Sequence, residues 1–259
     1  MGGLALDDEE FIIDFLRSHL NGQQTTLFTG NSLEKRVFRC LKDAKSLISN
    51  NSHEALPPDF LSPNHNIMFD VMRVNDTEVG KYNPVKARER NMLKELKDSG
   101  ILDAVNPNVR IHCSSESNDV SEHSFENYRK NVQRVMKKHI DKLNIWISGH
   151  PDIKHKGLLV FDETECCFEG TIKYAYGDQF AYIWDHNKPL VLHEPWNDAD
   201  FVQQAYESDL DFLVWFCPYK PCGAVPRNAN AVFPYVVIMD VRYERSVPYI
   251  IYDASKLVL

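Results

Sequence analysis

The sequence predicts a mixed α/β (α+β) fold, a central mixed sheet flanked by helices, on three observations. Early segments carry apolar residues at helical spacing. Largely apolar runs bounded by turn residues, at 67–74 and 157–162, read as buried strands. Helix and strand signals also alternate along the chain, with no repeat, low-complexity tract or long linker between them. The expected organisation is one domain over 1–259, with a subdomain boundary near 119 as the alternative.

The elements follow in order. Asp7 or Asp8 can cap a helix through Leu20 with Phe11, Ile12, Phe15 and Leu16 as its apolar stripe. After the loop Thr29-Gly30-Asn31-Ser32, the residues Leu33, Val37, Cys40, Leu41, Ala44 and Ile48 predict a helix over 33–48. Pro57-Pro58 stops any helix and forces extended backbone. A short strand over 59–61, a turn over 62–66 and a buried strand over 67–74 then read as a tight hairpin. Helices are expected over 85–96 and 124–143, with a short strand at 109–113 and a polar loop at 114–123 between them. Farther on, strands are expected at 144–148 and 157–162, continuing at 166–176 and 181–184. A helix is expected over 197–216, capped by Asn197 or Asp198, and a closing hairpin from 235–241 and 248–252.

Composition bounds the function. With 259 residues, 43% hydrophobic and 25% charged, the chain can bury a substantial core and is neither disordered nor fibrous. No run approaches the roughly 18 apolar residues of a membrane helix, and the N-terminal MGGLALDDEE has no basic region or long apolar segment. A cytoplasmic protein without a membrane partner is expected. The net charge of -8 argues against a surface devoted to polyanions, so nucleic acid is not favoured as a partner and a protein partner is open. Basic residues at 81–97 and 129–142 read as solvated helix faces. The six cysteines show no paired knuckle spacing and read as reduced, buried thiols. None of the ten histidines forms an i, i+4 metal pair, and phosphate-loop, dinucleotide and nucleophile-elbow motifs are absent.

The chemistry-bearing stretch is LPPDFLSPNHNIMFDVMRVND, residues 56–76, in which Asp70 lies inside an apolar run one hairpin away from Asp59. An ionised carboxylate there must face solvent, find a partner or bind a cation, because burying it alone costs several kcal/mol. Glu34 on the early helix, Pro58-Asp59 at a strand start and Asp70-Val71-Met72 on the next strand resemble a degenerate PD-(D/E)XK nuclease core, restriction-endonuclease-like in fold, over residues 33–74. The resemblance implies that Glu34, Asp59 and Asp70 hold divalent metal, magnesium or manganese, with Asp59 and Asp70 as the principal ligands. It also implies a lysine two residues after the strand acid, where this chain has Met72. A thioether neither donates a proton nor carries charge. Arg73 points to the opposite strand face, which leaves Lys81 as the lysine that could swing in from another element.

Two readings follow. One is a nuclease-like fold acting through binding or interaction. The other is a divalent-metal-dependent phosphodiesterase using Glu34, Asp59, Asp70 and Lys81. The group Asp162-Glu163-Thr164-Glu165 reads first as a strand entering a solvent-exposed turn and second as a metal-dependent phosphotransfer site. Tyr174, Tyr176, Phe180, Tyr182, Trp184 and Trp196 read as core packing, with a stacking platform as the alternative.

Overall fold

Acidic Glu9 and Glu10 in the first turn and Arg17 and His19 in the last suit the dipole of helix α1, Glu9–His19, whose buried side is Ile12, Ile13 and Leu16. The computed structural model describes residues 9–20, 25–50, 58–76, 91, 94–96, 98–100, 123–164, 166–170, 182–185, 188–220, 234–244 and 256–258. Strand β1, Thr25–Leu27, follows α1 and has no counterpart in the sequence reading. Helix α2, Ser32–Lys42, begins where the Asn31 side-chain oxygen accepts from the N–H groups of Leu33 and Glu34. It ends earlier than the expected 33–48. The Asp43 N–H closes on the carbonyls of Arg39 and Cys40, and the Asp43 side chain accepts from Lys45 N, a local bond that competes with helix continuation. Ile48 then leaves to form strand β2, Ile48–Ser49.

Strands β3, Phe60–Ser62, and β4, Ile67–Val74, form the expected hairpin around a 3-10 turn at Pro63–His65. Asn66 closes that turn at φ 58, the left-handed region that Asn tolerates. Helix α3, Phe125–Ile140, is capped by the Ser124 side chain. The stretch expected as a strand at 144–148 is instead helix α4, Leu143–Gly149. Leu143 and Trp146 are buried three residues apart while Ile145 and Ile147 are exposed, so the apolar run presents a helical face. Strand β5, His155–Asp162, and the short β6, Cys167–Glu169, follow as expected. Strands β7, Tyr182–Asp185, and β8, Lys188–Val191, pair with each other.

The helix expected over 197–216 is a correction of larger consequence. Only Ala199–Tyr206 is helical, as α5, capped by Asp198. The Ser208 hydroxyl accepts from Leu210 N in the turn that follows, and Phe212–Phe216 becomes strand β9. All five residues FLVWF are buried, because β9 has a sheet neighbour on each side and a core on each face. Strand β10, Val236–Asp240, the single turn α6, Val241–Glu244, and strand β11, Lys256–Val258, complete the described chain.

Seven strands form one mixed sheet in the order β1-β10-β9-β5-β4-β3-β2. From one edge, β2, β3 and β4 run antiparallel; β4, β5 and β9 are mutually parallel; β10 is antiparallel to β9 and parallel to β1. Alternation on β4 assigns its two faces. Met68, Met72 and Val74 join a core with Tyr128, Val132 and Met136 of α3, Trp146 of α4 and Phe201 and Val202 of α5. Ile67, Phe69 and Val71 join the opposite core with α1 and α2. The result is a sheet sandwiched between helix layers.

Lys81, the strand expected at 109–113, most of the helix expected at 85–96, the loop at 114–122 with the boundary near 119, Glu165, Tyr174, Tyr176, Phe180 and the strand expected at 248–252 lie outside the described residues. Among the described residues, no helix is long and apolar enough to cross a membrane.

At the sheet centre, Gly157 on β5 faces Phe212 on β9, and a Cβ at Gly157 would meet the Phe212 ring at 2.2 Å. The ring is buried in a close-packed core and cannot swing aside. Gly157→Ala is therefore expected to destabilise the fold by about 1–3 kcal/mol, read as a lower urea midpoint at unchanged slope.

Candidate functional site

The hairpin register sets the geometry of the acids. Phe60 pairs with Phe69, which places Asp59, one residue before β3, beside Asp70 in the middle of β4. The turn is anchored from outside the hairpin, since the Asn66 side chain and carbonyl accept from Lys154 N at 2.6 Å and His155 N at 3.1 Å. Position along the hairpin is thus fixed by the entry to β5.

Asp59 and Asp70 bond reciprocally across the two strands. The Val71 N–H donates to Asp59 Oδ2 at 2.7 Å, and the Asp59 N–H donates to Asp70 Oδ1 at 3.2 Å. The other Asp70 oxygen meets Nδ1 of His139, from the last turn of α3. Asp70 is buried at 2% exposure. Burial pushes the Asp59 carboxyl up to about 8, and the charge of Asp70 and the hydrogen bond between the two side chains add to the rise. At neutral pH Asp59 therefore retains its proton, and the His139 ring packs against the other oxygen of Asp70.

Met72 shares the Asp70 face and is packed into the core at 1% exposure. Arg73 is on the other face, as expected for adjacent strand residues; its guanidinium pairs with Glu163 and lies 5.9 Å from the Phe161 ring centroid.

Glu34 is placed elsewhere. Its Oε1 accepts from the Thr29 hydroxyl at 3.1 Å and Asp240 N at 3.1 Å, and its Oε2 from Thr29 N at 2.9 Å and Gly30 N at 2.6 Å. Gly30 stands at φ 70, a backbone conformation that glycine enters without steric cost and that aims its N–H at the carboxylate. Asn31 completes the knot by donating to Asp240 Oδ2 at 2.9 Å. Glu34 thus ties the start of α2 to the end of β10, three strand positions from β4, roughly 14 Å at ordinary strand spacing. The structure brings Asp59 and Asp70 together, adds His139 and keeps Glu34 apart.

A second polar centre lies where the parallel strands end. Asp162, the last residue of β5, is fully buried rather than turned to solvent as the sequence reading expected. It accepts from the Tyr128 hydroxyl, from Trp215 Nε1 at 3.1 Å and from Thr164 N at 3.0 Å. Lys220, just past β9, lies 3.8 Å from Asp162 and donates to the Cys166 carbonyl at 3.0 Å. Burial opposes the Lys220 charge, but Asp162 together with Cys167, Cys166 and Cys217 outweighs it and holds the ammonium above its ordinary value. Beside it, His193 and Asp198 form a buried pair at 2.6 Å, with burial lowering the imidazole. The sequence reading missed His139, Tyr128 and Lys220. Only Lys220 carried a signal, its place beyond the carboxyl end of an apolar run, where open α/β sheets gather polar groups.

No protein-family model matches the chain, and no curated protein or solved structure matches it either. Chemically, Asp59, Asp70 and His139 can share and relay a proton. Once both carboxyls are ionised, the two aspartates can also offer oxygen ligands to a hard divalent cation.

Asp59 makes stability pH-dependent with a definite sign. Its folded value near 8 exceeds its ordinary 3.8, so the folded chain holds a proton that the unfolded chain has released between those limits. Its contribution is most favourable below about pH 4 and is lost as pH rises towards 8. Thermal melts across that window are expected to show a shallower decline for Asp59→Asn than for the wild type. Glu34→Ala, which leaves the part-buried N–H groups of Thr29, Gly30 and Asp240 without their acceptor, is expected to cost about 1–3 kcal/mol in denaturant unfolding.

Proposed function

We propose that this protein is a nuclease-like α/β fold that acts through binding, in the cytoplasm, with a degenerate catalytic centre. The observation that carries this reading is Met72. At the place where the resemblance calls for a water-activating lysine, a thioether is sealed in the core beneath α3. His139 supports the same reading, because its ring already occupies the Asp70 oxygen that does not face Asp59 N. A protein partner fits the net charge of -8 better than nucleic acid does. The described cysteines are free thiols, in keeping with a reducing compartment.

The second reading, a magnesium- or manganese-dependent phosphodiesterase, is favoured by the abutting carboxyls of Asp59 and Asp70. It requires the shared proton to leave and His139 to yield its oxygen, with Glu34 acting at a distance and Lys81 supplying the cation.

Incubation of the full chain with single- and double-stranded DNA and RNA in magnesium or manganese separates the two. No cleavage above the level of Asp70→Asn is expected. Metal-dependent cleavage that disappears in Asp70→Asn would overturn the binding reading.

A further inference from the structure

Asp76 lies two residues beyond β4, Cys166 lies in the connection between the neighbouring parallel strand β5 and β6, and His123 lies just before the Ser124 cap of α3. One Asp76 oxygen takes both neighbours: His123 Nδ1 at 2.7 Å and Cys166 Sγ at 3.2 Å. The three candidate ligand atoms all lie within 4.8 Å of one another. Asp76 and Cys166 are both buried, at 2% exposure each. This trio shares no residue with the Asp59–Asp70 pair.

We propose that Asp76, His123 and Cys166 form a binding site for a thiophilic divalent cation of the zinc class. The donor set decides the class of ion. Thiolate and imidazole select a borderline-soft cation, whereas magnesium and calcium take oxygen ligands. The size of the triangle agrees. Bonds of about 2.0–2.3 Å in tetrahedral geometry separate neighbouring ligand atoms by roughly 3.3–3.8 Å. The observed 2.7 Å and 3.2 Å contacts must open by only about an ångström or less to admit the ion.

Three protein ligands leave a fourth position for water or another group, the arrangement of reactive rather than purely structural zinc sites. Charge also balances, because one thiolate and one carboxylate neutralise a divalent cation. Binding replaces a proton. The Cys166 S–H bond breaks, its electron pair passes to the metal, and the proton goes to solvent, while His123 binds as neutral imidazole. Affinity is therefore expected to increase with pH.

The test uses the full chain, stripped with a chelator and titrated with zinc and, separately, with cobalt as a spectroscopic probe. The expected result is one equivalent bound, with a thiolate-to-cobalt charge-transfer band. Affinity should fall at least tenfold in both Cys166→Ser and His123→Ala and remain unchanged in Asp14→Asn, an exposed carboxylate of α1. Failure of the wild-type chain to take up one equivalent overturns the proposal, as does a cobalt spectrum without thiolate character. Undiminished binding in a folded Cys166→Ser variant overturns it too. The wild-type spectrum decides the matter even where a variant does not fold. Zinc uptake and nucleic-acid cleavage are separate readouts, so this site stands or falls independently of the Asp59–Asp70 reading.

Discussion

Strand β5 has a parallel neighbour on each side and a helix-covered core on each face. Everything polar near the middle of this protein answers to that constraint. Water cannot reach the centre of such a sheet, so a charged group there must find its partner within the protein or move to the end of a strand. Asp162 does both. It stands at the last position of β5 and gathers a tyrosine hydroxyl, an indole N–H, a backbone N–H and a lysine. Asp70 has no such exit, since it lies at the fourth of the eight positions in β4, and it is tolerated through Asp59 on one side and His139 on the other.

The buried acids therefore answer one physical problem in three ways. Glu34 is satisfied by neutral donors alone and works as a fastener between α2 and β10. Asp162 is satisfied by mixed donors and a buried ammonium, which fixes the end of β9 against the end of β5. Asp59 is satisfied by keeping its proton. The last arrangement changes state as pH rises towards 8, so the chemistry of the hairpin responds to its surroundings.

What could be read from the sequence divides along the same line between local and tertiary causes. The β3–β4 hairpin was legible because Pro63, Asn66 and an eight-residue apolar run are local signals, and the adjacency of Asp59 and Asp70 followed from it. The partner of Glu34 was not legible, because Asp240 N arrives from a strand distant in sequence. His139 looked like one more member of a basic helix end, and nothing in Lys137-Lys138-His139 tells which of the three turns inward. The strand at Phe212–Phe216 was read as helix because a short continuous apolar run has no period of its own, and Ala199–Tyr206 before it is helical. Its burial on both sides is a property of the finished sheet.

The pairing of β1 with β10 has a consequence for how the chain reaches this state. Thr25 lies opposite Val236, a partner more than two hundred residues downstream. Helices α1 and α2 pack on a sheet face that includes Val236 and Ile238, so their apolar side is fully covered only once strands far apart in sequence have come together. Closing so long a loop is entropically slow, and until it closes the apolar side of α1 and α2 stays partly uncovered and open to misassociation.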